Sequence, residues 1–351
     1  MQTVYILYEN QAWDQGLVTT LEQHGFACKM WRLFDLNCPL APPRIPPGSL
    51  ILNRFSPSFA TRANGNTLGA ARSLVRLLES SGHHVINGGQ AMELEVSKVA
   101  QIIACRQVGL RAPHTEMVVG TPREDALRRW RQQHGAGTPL VVKPNCGGSG
   151  NHVRVFPTVD ALEEAIHNDD WNPHISIDGI TLVQRMVEAP CLYRLEFVGS
   201  EFLYAVKIRT AGGGSLNRCP CAQNLDAEEA GGGGTCALAP KFEILPDFPS
   251  SDSEWMLVQA LTRMLRANRV YIAGIEAIRD DKGRWWVIDC NCVNTNYNLT
   301  AERAAQVPLG GNTRIAQWLS NARFCNTTNP SDAESNPPPP PSDTAGAPGP
   351  G

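Results

Sequence analysis

The chain has 351 residues, which at about 150 residues per domain is material for two or three domains. Lys and Arg number 31 against 34 Asp and Glu, and the stretch from Asn326 to Gly351 holds Asp332, Glu334 and Asp343 with no Lys or Arg, so the tail carries the whole net charge of −3. A neutral body offers no basic face for nucleic acid, 42% hydrophobic residues supply a large core, and no apolar run nears the ~18 residues of a membrane span.

Met1-Gln2-Thr3-Val4-Tyr5-Ile6-Leu7-Tyr8 has no basic n-region and no cleavage site, which predicts a first strand and a cytoplasmic chain. The eleven cysteines are scattered, none in a CxxC pair, and are expected as reduced thiols. Cys219-Pro220-Cys221 with Cys236 has one intervening residue where zinc sites usually have two to four, so loop thiols are the plainer expectation. A helix over 14–24, strands over 27–31 and 49–53, a helix over 69–81 and a strand over 85–87 alternate as in a small parallel α/β domain. One helix is predicted over 92–108, another over 124–134, then strands over 139–144 and 152–156 and a helix over 158–168. A strand over 180–187 and a hairpin of 194–198 with 201–208 follow. The glycine-rich segment 211–234 is either a functional flap or a structureless insert. Beyond it come a helix over 253–268, strands over 272–278 and 285–291, and a helix over 311–322. The segment with five consecutive prolines, Pro337 to Pro341, is expected as a polyproline-like solvated tail, or at most a ligand for a proline-binding module.

Three segments carry chemistry. In Leu140-Val141-Val142-Lys143-Pro144-Asn145-Cys146-Gly147-Gly148-Ser149-Gly150 a lysine ends a strand and glycines follow. The ammonium is a compact charge for phosphate oxygens, and glycines let backbone N–H groups approach them. A P-loop would put the lysine after the glycines and open a helix, and neither an HRD nor a DFG sequence is present for a protein kinase. In the pair of strands around Asp280-Asp281-Lys282-Gly283, a turn centred on 281–282 pairs positions summing to 563. Glu276 then faces Val287 and Gly274 faces Asp289, and Glu276, Asp289 and Asn291 share one face with the two carboxylates diagonal. Those hard oxygen ligands suit one or two Mg²⁺, with Mn²⁺ as a substitute. The third segment is the helix start at Ser97-Lys98, where Lys98 is a second candidate phosphate contact.

Together these residues resemble the ATP-grasp superfamily, and within it the RimK/glutathione-synthetase-like carboxylate–amine ligases. The likeness runs over roughly residues 85–300: Val85–Asn87; Lys98 with Leu110-Arg111-Ala112-Pro113-His114-Thr115; Val142-Lys143-Pro144 with Gly147–Gly150; Leu182-Val183-Gln184-Arg185-Met186-Val187; Tyr193-Arg194-Leu195-Glu196-Phe197-Val198; and Asp289-Cys290-Asn291. The resemblance implies an α/β fold with α+β subdomains: an N-terminal parallel α/β domain (1–88), then two subdomains (89–185 and 186–325) clamping ATP, and a disordered tail (326–351). It implies that Lys98 and Lys143 contact phosphates, that Gly147, Gly148, Ser149 and Gly150 close over them, and that Gln184, Arg185, Met186 and Val187 form the hinge along the adenine. It places Glu276, Asp289 and Asn291 on magnesium, and Arg194, Lys207 and Arg209 near the transferred phosphate and the carboxylate. Two departures stand out: the family commonly has Asp then Glu where this chain has Glu276 then Asp289, and Arg185 holds a position that is usually acidic. The activity implied is an ADP-forming ligase joining a small-molecule carboxylate and amine, an amino acid or a peptide, with no nucleic acid or membrane partner and the oligomeric state left open. Two other functions are compatible with the same residues: an ATP-binding regulatory or assembly protein without ligation, and a ligase acting on a peptide or protein with 211–234 as its flap.

Overall fold

The computed structural model describes residues 2–32, 45–46, 49–56, 67–148, 152–168, 176–209, 242–293, 297, 302, 305–307 and 309–321. The glycine-rich segment, the proline-rich tail, Ser149 and Gly150 lie outside those residues, as do Cys219, Cys221 and Cys236. The six cysteines among the described residues are free thiols.

The N-terminal part is a four-stranded parallel sheet in the order β2-β1-β3-β4, from β1 (Thr3–Tyr8), β2 (Ala27–Arg32), β3 (Leu50–Asn53) and β4 (Val85–Ile86), with α1 (Gln11–Gln23) and α2 (Thr67–Ser80) packed on it. Asn10 starts α1 by accepting the Ala12 N–H on its side chain at 3.1 Å. Two short helices follow, α3 (Gly89–Val96) and α4 (Lys98–Gln107), where periodicity predicted one. Ser97 breaks the run: its backbone is extended and its hydroxyl accepts the Ala100 N–H, so it caps α4 and puts Lys98 at the first helical position.

Next comes a four-stranded antiparallel sheet ordered β5-β8-β6-β7: β5 (Thr115–Val119), β6 (Leu140–Pro144), β7 (Arg154–Phe156) and β8 (Ile180–Arg185). Helices α5 (Glu124–His134) and α6 (Val159–His167) enclose a core of Trp130, Leu127, Leu140, Val142, Leu162 and Val183 with it. Strand β5 was not anticipated. Its Met117 and Val119 are exposed, so it lacks the buried alternation that marks a strand in sequence.

The last sheet has five strands ordered β11-β10-β9-β12-β13: β9 (Cys191–Val198), β10 (Glu201–Arg209), β11 (Phe242–Leu245), β12 (Ile272–Arg279) and β13 (Trp285–Asn291). Helix α7 (Asp252–Ala267), opened by a Ser251/Glu254 capping box, covers one face through Leu257, Leu261 and Leu265. The N-terminal sheet, α1 and α8 (Gly311–Asn321) pack against the other face, where Ile272 and Ile278 join Val4, Ile6, Leu17 and Ile315. Asn87 stitches the two together at a left-handed φ of 52°: its side chain donates to the Ile272 carbonyl at 2.8 Å and accepts the Tyr271 N–H at 2.8 Å. With both faces covered, β9 and β12 are nearly continuous apolar runs, and the two carboxylates on them, Glu196 and Glu276, are buried. Phe197 is fully buried and meets Phe202 edge-on at 5.7 Å. Phe197→Ala is expected to cost about 3–5 kcal/mol in urea unfolding by cavity formation.

Candidate active site

The acidic hairpin departs from the predicted register in a way that matters for chemistry. Asp280 and Arg284 close a turn in which Gly283 has φ +73°, a three-residue connection with glycine in the left-handed position, so Arg279 pairs with Trp285. A bulge then leaves Ile288 without a partner on β12, so that Glu276 faces Asp289 and Gly274 faces Asn291. The two carboxylates are therefore directly cross-strand and not diagonal, which for Cβ atoms means about 4.5–5.5 Å. Asn291, two residues on, shares their face. On β9 the register puts Arg194 beside Glu276 and Glu196 beside Gly274. Arg194 donates from Nε to Glu196 at 2.6 Å and lies 3.6 Å from Glu276. One guanidinium thus lies between two buried carboxylates.

Both lysines reach this hairpin from other elements. Lys98, on the first turn of α4, is 3.6 Å from Asp289 and donates to the Gly147 carbonyl at 3.1 Å. Lys143, on β6, lies against the bulge, with Nζ 3.4 Å from the Ile288 carbonyl. Its pKa is drawn down to about 8, first by burial and next by Lys98, against the pull of Asp289 and Glu276. The folded chain thus holds this proton less tightly than the unfolded one, whose lysine titrates near 10.5. The cost of burying the ammonium is full below pH 8 and is relieved as pH rises through 8 to 10.5.

The root of the glycine loop is held separately. Asn145 accepts the Val99 N–H at 2.9 Å and donates to Asp178 at 2.6 Å, so one amide joins α4, β6 and the start of β8. Asp178 also accepts from the Ser176 hydroxyl and the Cys146 thiol. Burial, with Asp178 adding to it, pushes that thiol up to about 12, which keeps it protonated and unreactive. Gly147 and Gly148 lie at the edge of the described loop.

Of the other candidates, Gln184 lines the same cleft as Lys98, Lys143 and Asp289, and the rest fall elsewhere. Gln184 is buried and donates to Thr115 Oγ1 at 2.8 Å. Arg185 is exposed, with its N–H on the His114 carbonyl, and the Met186 N–H donates to the Pro139 carbonyl at 3.0 Å. Strand β8 ends at Arg185, two residues earlier than predicted, and Val187 packs on the core shared with the N-terminal sheet. Lys207 pairs with Tyr193, one residue out of phase with Arg194, so it is on the opposite face of the sheet from Arg194 and Glu276. Arg209 ends β10, across from Cys191.

A cleft of about 250 Å³ lies where these parts meet. Lys98, Lys143 and Asp289 form its charged end, and Ile102, Ala112, Val287 and Ile288 its apolar walls. The apolar walls were not singled out in the sequence. Ile288 carried a signal, as an aliphatic residue immediately before the acidic ligand, but its access to the cleft comes from the bulge. No group of three or more His, Cys, Asp or Glu that could hold a metal occurs among the described residues. The donor set here is instead two carboxylates and an amide, hard oxygens that fit Mg²⁺ when phosphates and water complete the shell.

No protein-family model matches the chain. A D-alanine–D-alanine ligase of Chromohalobacter salexigens is 26% identical over 211 residues, 58% of this chain and 58% of the ligase, so the chain spans little more than half of this relative. The solved D-cycloserine synthetase DcsG superposes with a TM-score of 0.64 at 14% identity, covering 91% of this chain and 98% of that one. The ATP-grasp ligase PsnB, complexed with a variant of its minimal precursor, Mg and ADP, superposes at 0.59 and 15% identity over 91% and 97%. The chain has the ATP-grasp fold. Its three sheets correspond to that architecture, and the cleft is lined by Lys98, Lys143 and Asp289, with Glu276 directly across the strand from Asp289. No described helix of this ATP-grasp chain is long and apolar enough to cross a membrane.

Proposed function

We propose that this chain is an ATP-dependent, ADP-forming carboxylate–amine ligase. The observation that carries it is the convergence of two buried lysines, from α4 and β6, on a directly cross-strand carboxylate pair. Two cations and two anions with an amide beside them are what a triphosphate and its magnesium require, and four separate chain segments supply them. In this scheme residues 1–88, 89–185 and 186–325 act as three units, with the nucleotide between the second and third. Ile102, Ala112, Val287 and Ile288 take the base. Lys98 and Lys143 take phosphate oxygens, and Gly147 and Gly148, with Ser149 and Gly150 beyond them, bring backbone N–H groups over the phosphates. Glu276, Asp289 and Asn291 hold Mg²⁺, which supplies charge neutralisation on the phosphates.

An oxygen of the substrate carboxylate attacks the γ-phosphorus, the bond to the bridging oxygen of ADP breaks, and an acyl phosphate forms. The amine then attacks the acyl carbon, phosphate leaves, and the nitrogen gives up a proton. Arg194 is the cation on this face beside Glu276, placed to take the carboxylate or the transferred phosphoryl group, whereas Lys207 lies outside that role. The carboxylate and amine belong to amino acids or a peptide, in keeping with the ligase relative and the precursor-bound neighbour. ADP formation from ATP and Mg²⁺ with a panel of amino acids and peptides, with mass spectrometry of the products, tests this. A chain that releases no ADP with any pair refutes it. A further expectation follows from Lys143. In the free chain its charge is lost as pH rises through about 8, so the KM for ATP climbs above that pH, while Lys143→Arg, which stays charged, gives a flat profile.

A further inference from the structure

Strand β13 carries Asp289 and Asn291 yet is the edge of its sheet, so among the described residues one side of its backbone has no partner strand. An open edge can slip or fray, and a one-residue slip would turn every side chain to the other face. Here the edge is closed by groups from the polypeptide that also carries Lys98. The Val287 N–H donates to the Arg111 carbonyl at 2.8 Å. The side-chain amide of Gln101 pairs with Cys290 as a strand would: its Oε1 accepts the Cys290 N–H at 3.2 Å and its Nε2 donates to the Cys290 carbonyl at 3.0 Å. Glu95 accepts both the Cys292 and the Val293 N–H groups, the latter at 3.0 Å. Gln101 and Glu95 are 4% and 5% exposed, and Gln101 Nε2 also donates to the Leu94 carbonyl at 3.0 Å, so neither side chain can easily move. Gln101 is one turn along α4 from Lys98, whose ammonium is 3.6 Å from Asp289.

We infer that Gln101 and Glu95 are positioning residues that clamp the open edge of β13 to α3 and α4, fixing Asp289 and Asn291 in register with Lys98. The role rests on the ligase reading above, but the clamp itself can be measured without ligand. In the nucleotide-free chain, hydrogen exchange should find the Cys290, Cys292 and Val293 amides protected. Gln101→Met, similar in length but without hydrogen-bonding groups, should speed exchange at Cys290 by about ten-fold or more, and Glu95→Met should do so at Cys292 and Val293, with Ala273 and Phe197 in the core unchanged. Unprotected amides in the wild-type chain overturn the clamp. In ADP formation, Gln101→Met should raise the half-saturating Mg²⁺ about ten-fold, as loss of an outer support does, with kcat at saturating Mg²⁺ within about three-fold. Glu95→Gln keeps an amide oxygen for the same two N–H groups and should stay near wild type. If kcat falls while the Mg²⁺ requirement is unchanged, the residues are merely structural and the positioning role is wrong. A wild-type chain that binds Mg-ATP yet forms no ADP with any partner would sink the ligase reading and leave the clamp standing.

Discussion

Lys143→Met lowers kcat/KM for ATP by about 10²–10³-fold without destabilising the chain, because the ammonium interacts with phosphate while its burial is a cost to the folded protein. Lys143 is 7% exposed, and Lys98 adds like-charge repulsion, offset in part by Asp289 and Glu276. Replacing the ammonium by a thioether of similar length removes the desolvation penalty and the repulsion. Thermal unfolding of Lys143→Met should therefore match the wild type or come at a slightly higher temperature. Steady-state ADP formation paired with a melting curve checks both halves. A variant that melts early and loses activity in proportion would mean that Lys143 holds the Ile288 bulge together and has no phosphate role. The same variant separates a ligase from a regulatory ATP-binding protein: the ligase loses product, while the binder loses nucleotide-dependent association with a partner.

Asp289→Asn produces a comparable loss by another route. The substitution keeps the shape and removes the charge, so Lys98 loses its ion-pair partner and the cross-strand pair keeps one carboxylate. The half-saturating Mg²⁺ should rise by about 10- to 100-fold and kcat should fall by at least about 10²-fold. Mn²⁺, which accepts nitrogen and amide ligands more readily, should restore part of the loss. Glu276→Gln is expected to go the same way, since it too leaves the cross-strand pair with one carboxylate. Metal titrations of ADP formation are the measurement. An Asp289→Asn enzyme with wild-type Mg²⁺ dependence would move the cation site elsewhere.

The direct pairing of Glu276 with Asp289 also bears on the exchanged order of the two acids relative to the family. Opposed residues aim at one point between the strands, so moving the longer side chain from one strand to the other shifts that point by about one methylene. Either order leaves two carboxylates on one face.

Much of the architecture could be read from local pattern. Glycine at 25 and 82 stops α1 and α2, the 3.6-residue stripe marks α7, and Val141–Val142 before Lys143 marks β6. Each is decided by residues within a few positions of one another. The two lysines, the glycine turn and the acidic strands were visible in the same way, as residue types at fixed short spacings.

What local pattern could not supply came from long-range contacts. The extra residue Ile288 and the three-residue turn at 281–283 changed the register, because bulges are set by what the partner strand and its neighbours accept. The break at Ser97 was hidden by an unbroken apolar stripe on both sides. Lys207 and Arg194 look alike in sequence, as basic residues on neighbouring strands, and only the cross-strand pairing of Lys207 with Tyr193 separates their faces. Gln101 and Glu95 gave no signal as parts of a site, since a buried amide and carboxylate declare a role only when the backbone they satisfy is known. By itself the sequence determined which chemical groups this protein has and the elements that bear them, because helix stripes, caps and strand alternation are local. The tertiary structure decided which of those groups meet, because register and bulges are set by what a partner strand accepts, and the sheet edge is closed by side chains 189 to 198 positions away.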